Sequence, residues 1–380
     1  MAAQALVLDN GSSTIKAGFA GEDTPHAVFP SLVGHVRQAG LASSSLPALP
    51  AHYVGEAACS RRELLSLSRP LERGLVVDWD DAERLWQYAF SGAALRVAPE
   101  EHSLLLSEAP LTPRASREKL SQVLFETFNT PALCLANQAT LSLYASGRTT
   151  GLVLDAGHEI TRSVPIFEGF AIPHATRLAP SLGGLQLEEH LLRMLVDERR
   201  YRFRSVAERE LVRQLPELLC YVALDYELEL HTAACTSELE RSYELPDGRL
   251  FVTLGAERFR CPEALFQPSV FGFADSPGIH QCIVDSISRC DPDLSRDLYG
   301  NVVLSGGTSL FAGLADRLYR ELGARAPPTT RIRVIAPPER KHSAWIGGSI
   351  LASLPVFRQL CVSRQEYEEY GASVVHKRCF

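Results

Sequence analysis

No Cys-x-x-Cys pair, no His-Glu-x-x-His, no Walker loop and no Gly-x-Ser-x-Gly elbow occurs in this sequence. Those absences remove a zinc ribbon, a zinc protease, a P-loop nucleotidase and an α/β-hydrolase from consideration. The nine cysteines are scattered from Cys59 to Cys379 without Cys/His clustering. An odd, dispersed set reads as reduced, mostly buried thiols, with penultimate Cys379 expected at the surface. No apolar run is long enough to span a bilayer. The first one, Ala5 to Leu8, is too short for a signal-peptide core and lacks a basic lead-in. Positive charge is also short: the net charge of −7 and pI near 5.9 argue against a protein held on nucleic acid or anionic lipid. A chain of the cytoplasm or nucleus is expected, with no nucleic-acid partner and no membrane insertion.

What the sequence does hold is an ordinary globular composition, 46% apolar and 22% charged, over 380 residues. That length implies about two domains or one large α/β unit. Its most informative feature is an internal echo. Leu6-Val7-Leu8-Asp9-Asn10-Gly11 recurs as Leu152-Val153-Leu154-Asp155-Ala156-Gly157. Each copy reads as a short buried strand ending in Asp and a glycine turn. Val302-Val303-Leu304-Ser305-Gly306-Gly307 is a third such junction. The three suggest two similar α/β lobes facing each other over a cleft.

Helical spacing fills the intervals. Asp78 caps a predicted helix through Trp79, Ala82, Leu85, Trp86 and Ala89. Ser116 opens another with Leu120, Val123, Leu124 and Phe128 on one face. Ser276-Pro277 reads as an N-cap and first-turn pair ahead of Ile279, Cys282, Ile283 and Ile287. Gly307-Thr308 leads into Leu310, Phe311, Leu314 and Leu318. Ser363 and Glu366 form a capping box. Leu245-Pro246-Asp247-Gly248 reads as a hairpin turn. Gln38 to Pro50, rich in Ala, Ser and Pro and without charge, reads as an exposed mobile loop or short linker.

A polyphosphate needs N–H donors on a tight turn and a cation against its charge. Asp9 and Asp155, at strand ends, are candidates to hold magnesium through water. Lys16 is placed to reach a phosphate as a point charge. Gly306-Gly307, ahead of a helix, is a candidate for the remaining phosphates or the nucleoside. A lone Asp-x-Gly is more often an ordinary turn, but repetition after the same apolar tripeptide argues for a shared purpose.

Asp9-Asn10-Gly11-Ser12, Lys16-Ala17-Gly18-Phe19-Ala20-Gly21 and Ala27-Val28-Phe29-Pro30-Ser31 resemble the opening of actin. Arg96 to His102, Phe125 to Pro131, Leu143 to Gly151, Glu257 to Glu263, Leu304 to Thr308, Ala336 to Lys341 and Val375 to Phe380 are similar to actin too. The resemblance covers nearly the whole chain. It implies the α/β actin-like ATPase fold, two ribonuclease-H-like lobes around a nucleotide cleft in four subdomains. Residues 1–32, 71–145 and 343–380 would form the first subdomain and 33–70 the second. Residues 146–182 and 276–342 would form the third, and 183–275 the fourth. It also implies ATP or ADP with magnesium or calcium at Asp9, Gly11, Ser12, Lys16, Asp155, Gly157, Glu217, Gly306, Gly307 and Lys341. The metal would be held through water by Asp9 and Asp155, and Gln138 would help position the attacking water. Actin-binding proteins would dock in a groove between the first and third subdomains, matched by Tyr144, Gly147, Thr149, Ile346, Ile350, Leu351 and Leu354. For Ile350 and Leu351 a place in the core is an equal expectation, which exposure decides.

The chain departs from the family at the second phosphate loop. Where actin has Asp-x-Gly-Asp-Gly, this sequence has Asp155-Ala156-Gly157-His158-Glu159. The family's water-orienting histidine corresponds to Arg162, a fixed cation that cannot relay a proton. Ser13 replaces a glycine, Pro216 replaces the adenine-side lysine beside the retained Glu217, and around Ser181-Leu182-Gly183-Gly184 an arginine and an aspartate are missing. The loop at 38–50, which docks between subunits in actin filaments, is unrelated to actin's. These changes predict an actin-like structural and interaction protein, a subunit of a mixed cytoskeletal assembly with a degraded nucleotide cleft and little or no ATP hydrolysis. Other actin-like proteins are among its expected partners, and germ-cell expression is a family-level expectation. A slowly hydrolysing, filament-forming ATPase and a nuclear chromatin-complex subunit are the alternatives.

Overall fold

A computed structural model describes residues 3–36, 50–203, 206–244, 251–273 and 276–379. The 38–49 part of the expected loop and the 245–248 turn lie outside them. The chain divides into two compact units, residues 1–148 with 342–380, and residues 149–341.

Unit 1 is built on a six-stranded sheet in the order Val362–Ser363, Ala132–Asn137, Leu104–Glu108, Leu6–Asn10, Thr14–Phe19, Ala27–Pro30. Leu6–Asn10 runs antiparallel to Thr14–Phe19 and parallel to Leu104–Glu108. Both faces are covered, so successive residues of a strand enter different cores. Leu6, Leu8, Leu104, Leu106, Leu133 and Leu135 pack with Leu85, Trp86, Leu120 and Leu124. Those partners come from helices Trp79–Phe90 and Arg114–Glu126. Val7, Leu105 and Cys134 pack on the other face with Leu141 and Trp345. These come from helices Gln138–Ala145 and Ser343–Ser353. The two helices meet closely: a Cβ on Gly347 would lie 1.7 Å from the Leu141 carbonyl oxygen. That contact fixes the helix that begins with Gln138. Trp345 is fully buried, and its indole N–H donates to Val7 O at 3.1 Å. Losing such a side chain costs about 3–5 kcal/mol.

Unit 2 repeats the device. Gly151–Ala156 runs antiparallel to Thr161–Phe167 and parallel to Val302–Ser305. Val334–Ile335 and Phe170–Ala171 extend this sheet at its two ends, and Arg177–Ala179 also pairs with Thr161–Phe167. Leu152, Leu154, Val302 and Leu304 pack against Ile279, Ile283, Leu314 and Leu318. The sequence echo is thus a topological one: each copy is the strand flanked by an antiparallel hairpin partner and a later parallel strand.

Local expectations fared unevenly. Asp78 does cap its helix, accepting from the Asp81 N–H, and the Ser363–Glu366 capping box is present. The helix expected from Ser116 instead begins at Arg114 behind Pro113, whose fixed φ suits a helix entry. Ser276-Pro277 is not the cap: Gly278 precedes the first helical residue, Ile279, and Ser276 Oγ is buried without a hydrogen-bond partner. Gly307–Leu310 forms a 3₁₀ turn, and the α-helix starts only at Leu314. Strands Arg241–Glu244 and Phe251–Leu254 pair antiparallel on either side of the expected 245–248 turn.

Cys379 is buried rather than exposed, at 3%. Val362–Ser363 pairs only with Ala132 and Leu133, so beyond them the sheet edge needs another acceptor. The Cys379 sulfur takes the Leu135 N–H at 3.3 Å, while Arg117 Nη2 donates to the Cys379 carbonyl at 2.8 Å. Contact with the Cys134 thiol and burial push the Cys379 thiol far above its usual range.

Candidate functional site

In unit 1 the hairpin register places Asp9 opposite Lys16. Lys16 Nζ donates to Asp9 Oδ2 at 2.9 Å, and Ser107 Oγ donates to Oδ1 at 2.6 Å. Gln138 Nε2 lies 3.1 Å from Asp9 Oδ1, 3.0 Å from Asn10 O and 3.2 Å from Ser107 Oγ. Burial raises the Asp9 pKa, but the Lys16 charge and the hydrogen bonds from Ser107, Lys16 and Gln138 outweigh it and hold the carboxyl below its ordinary value. Asp9 is an ionised, fully engaged carboxylate, and Gln138 is one of the groups that hold it.

The turn between the strands is tied from behind. Ser31 Oγ donates to Gly11 O at 2.5 Å, and Ser31 N donates to Ser13 O at 2.9 Å. Ser12 Oγ accepts the Gly74 N–H at 2.9 Å, which leaves its own hydrogen to donate. Because C=O and N–H of one planar peptide point opposite ways, tying Gly11 O back turns the Ser12 N–H toward the other side. Ser31, which directly follows strand Ala27–Pro30 of the same sheet, was not singled out in the sequence.

Unit 2 carries the second turn. Gly157 N donates to Ile160 O at 3.1 Å, closing it. Thr308 Oγ1 and Gly184 N donate to Gly157 O at 2.8 and 3.1 Å, and Leu185 N donates to His158 O at 2.7 Å. The N–H groups of His158 and Glu159 therefore point away from this brace. Sequence reading saw only losses around Gly183-Gly184; it missed that the first amides of helix Gly184–Asp197 hold the second turn. His158 Nδ1 lies 3.5 Å from Glu188 Oε1 on that helix.

Asp155 faces Arg162 in the hairpin register, as Asp9 faces Lys16. Arg162 Nη1 lies 3.6 Å from Asp155 Oδ2. Burial lowers the Arg162 pKa, while Asp155 and Glu159 oppose that, and a guanidinium stays charged. Gly306, at the end of the neighbouring parallel strand, has φ +87°, and a Cβ there would lie 2.2 Å from Ala156 O and 3.0 Å from Asp155 Oδ1. Glycine is required at that close approach. Gly307 sits beside the Lys341 side chain, a Cβ on it falling 3.9 Å from Lys341 Cε. Lys341 Nζ donates to Glu217 Oε1 at 2.7 Å, so these two candidates are paired with each other. Asp155, Gly306, Gly307, Lys341 and Glu217 thus converge within unit 2, and Asp9, Gly11, Ser12, Lys16 and Gln138 within unit 1.

Each turn presents oriented amides beside a cation that is itself paired with a carboxylate, Lys16 with Asp9 and Arg162 with Asp155. A divalent ion held through water would share Asp9 with Lys16, Ser107 and Gln138, and Asp155 with Arg162. Among the described residues no cluster of three or more His, Cys, Asp or Glu has a metal-holding arrangement, and no helix is long and apolar enough to cross a membrane.

The candidate partner surface divides. Ile350 and Leu354 are exposed, at 42% and 44%. Leu351, Ile346 and Tyr144 are half-buried against the cluster of Trp345 and Phe357. Gly147 is exposed in unit 1, and Thr149 belongs to unit 2. Val356 and Leu360, not picked out from sequence, join the exposed apolar side chains of unit 1. They follow Leu354 too irregularly for a periodic pattern to reveal them.

Compared with models of protein families, the chain matches the one described as Actin, over residues 1–380.

Proposed function

The chain belongs to the actin family, and on that premise we propose that it is a structural and interaction protein that keeps a nucleotide without turning it over efficiently. Actins bind ATP or ADP with a divalent metal, and the bound nucleotide supplies a phosphoanhydride whose hydrolysis needs an oriented water. The observation that carries the reading is Arg162, the hairpin partner of Asp155 at 3.6 Å. A permanent cation there can steady negative charge but cannot accept a proton from water. Gln138, expected to help position the attacking water, spends its amide nitrogen on Asp9, Asn10 and Ser107. Asp9, Lys16, the two braced turns, Gly306-Gly307, Glu217 and Lys341 are the residues that would bind and orient the nucleotide.

The exposed Ile350, Leu354, Val356 and Leu360, all within eleven residues of sequence, support a partner-binding role. Together with the unrelated 38–50 sequence, they favour a place in a mixed cytoskeletal assembly over a uniform filament. A germ-cell cytoskeleton is the setting this reading suggests.

A phosphate-release assay on pure protein in magnesium, with and without salt, tests the proposal. The expected result is release at least tenfold slower than from an actin preparation run alongside, and no regular filaments in negative-stain images. Release as fast as actin's, or filaments of the pure chain, would favour instead the ATPase reading supported by the intact Asp9–Lys16–Gln138 group.

A further inference from the structure

None of the ten residues of helix Tyr226–Cys235 in unit 2 is buried. Its inner side is Tyr226, Glu229, Thr232 and Ala233, all half-buried, and the Glu229 carboxylate accepts from the Tyr221 hydroxyl. Its outer side carries Glu227, Leu228, Leu230, His231, Ala234 and Cys235, all exposed, with Leu228 at 64%. Residues four apart share a helix face, so a His-x-x-x-Cys spacing that matches no zinc finger still brings both ligands together. The Cys235 sulfur lies 3.9 Å from Nδ1 and 3.9 Å from Nε2 of His231. A tetrahedral zinc ion bonded to thiolate at about 2.3 Å and imidazole at about 2.0 Å sets sulfur and nitrogen about 3.5 Å apart. A small turn of two exposed side chains closes that difference.

Local charge favours a cation there. Cys235 is the last residue of the helix, at the negative end of its dipole, and Glu238 follows it, exposed. Arg241 and Arg258 have their guanidinium groups on the carbonyl oxygens of Glu238, Glu240, Leu219 and Leu239. Arg320 pairs with Asp225 at the far end of the helix. Two protein ligands are half of a closed zinc site, and among the described residues no third completes the set. A second copy does: a twofold interface meets each patch with itself, so the same face brings a second histidine and a second thiolate and covers both copies of Leu228. Glu227 lies about 12 Å along the helix from Cys235, so copies meeting at their Cys235 ends keep those carboxylates apart.

We infer that the outer face of helix Tyr226–Cys235 is a zinc-bridged interface between two copies of this chain, with His231 and Cys235 of each as the ligands. On binding, each Cys235 thiol gives its proton to solvent and each His231 ring enters neutral. A closed pair does not propagate, so the interface agrees with the absence of filaments expected above and does not depend on the nucleotide.

The test uses the full chain, reduced, stripped with EDTA and returned to excess magnesium, which fills oxygen-ligated sites. Cobalt(II) is titrated for absorption, and zinc is added for sedimentation velocity. Expected is a thiolate-to-cobalt charge-transfer band that saturates at about half an equivalent per chain. In zinc, self-association is expected at least tenfold tighter than in EDTA, ending in a dimer. Cys235→Ser is expected to abolish the band, His231→Ala to weaken cobalt binding about tenfold or more, and both to stay monomeric in zinc. Unfolding curves in EDTA that match wild type check that these exposed substitutions leave the fold alone. A chain that stays monomeric in zinc overturns the inference, even with an ion bound. A dimer equally tight in EDTA overturns it too, since apolar contact would then suffice. A band that survives Cys235→Ser also overturns it, by placing the ion on another thiol.

Discussion

At matched positions of two hairpins, Lys16 bonds Asp9 at 2.9 Å and Arg162 approaches Asp155 at 3.6 Å. The turns between them close alike: a Cβ on Gly11 would crowd Thr14 O at 2.6 Å, and one on Gly157 would crowd Ile160 O at 3.1 Å. Their surroundings differ. The Asp9 carboxylate is held by three side chains from three parts of unit 1, so its charge is a structural commitment. Asp155 has looser cationic company and a turn braced largely by backbone amides. The same device sets cation and carboxylate in direct contact in one unit and at longer range in the other.

The sharpest way to break this comparison is to remove each cation. Lys16→Met leaves Asp9 buried and uncompensated, for an expected loss of about 3–5 kcal/mol in urea unfolding. Arg162→Met, beside a more accessible carboxylate and across a longer gap, is expected to cost about 1–2 kcal/mol. Equal losses would show that the two pairs carry the same structural weight.

Acid separates the units next. His190 and His280 of unit 2 are held neutral, with pKa values near 4, by burial and then by neighbouring arginines. A histidine whose folded pKa lies below its unfolded value contributes stability that is present above about pH 6.5 and lost as pH falls toward 4. Each is expected to cost about 2–3 kcal/mol across that window. Asp9 has its pKa depressed, so its contribution is present above about pH 4 and is lost only as pH falls further. Hydrogen exchange at pH 7 and pH 5 is expected to show unit 2 loosening first, and His190→Phe to flatten that slope. Loosening that begins around Asp9 would contradict the assignment.

The smallest expected effect concerns thiols. Cys235 is exposed and Cys379 is buried under Arg117 and Leu135. In native protein Cys235→Ser should abolish the fast phase of reaction with a disulfide reagent, and Cys379→Ser should leave it unchanged. A fast phase that survives Cys235→Ser would place the reactive thiol elsewhere.

Much of this was legible in the residues themselves. The Leu-Val-Leu-Asp echo located both carboxylates because a strand buried on both faces needs an unbroken apolar run and then a break at the turn. The capping box at Ser363 and the Asp78 cap were readable because their partners lie three residues away. The Cys379 position was not, because its acceptor role answers an N–H at residue 135, left open where an edge strand stops. The Ser276 cap failed for a related reason: the bond that would confirm it was never made, and Gly278 starts the helix. The Lys341–Glu217 pair and the Thr308 brace join residues far apart in the chain, which no spacing rule reaches. Arg162 was read in the sequence as standing at the relay position, but not as the register twin of Lys16.

The central claim, a nucleotide kept without turnover, is tested most directly by the nucleotide released when gently purified protein is denatured and its supernatant run on an anion-exchange column. Intact ATP at close to one per chain is the result expected. Bound ADP at that stoichiometry after loading with ATP would contradict it, because the chain would then have hydrolysed what it holds.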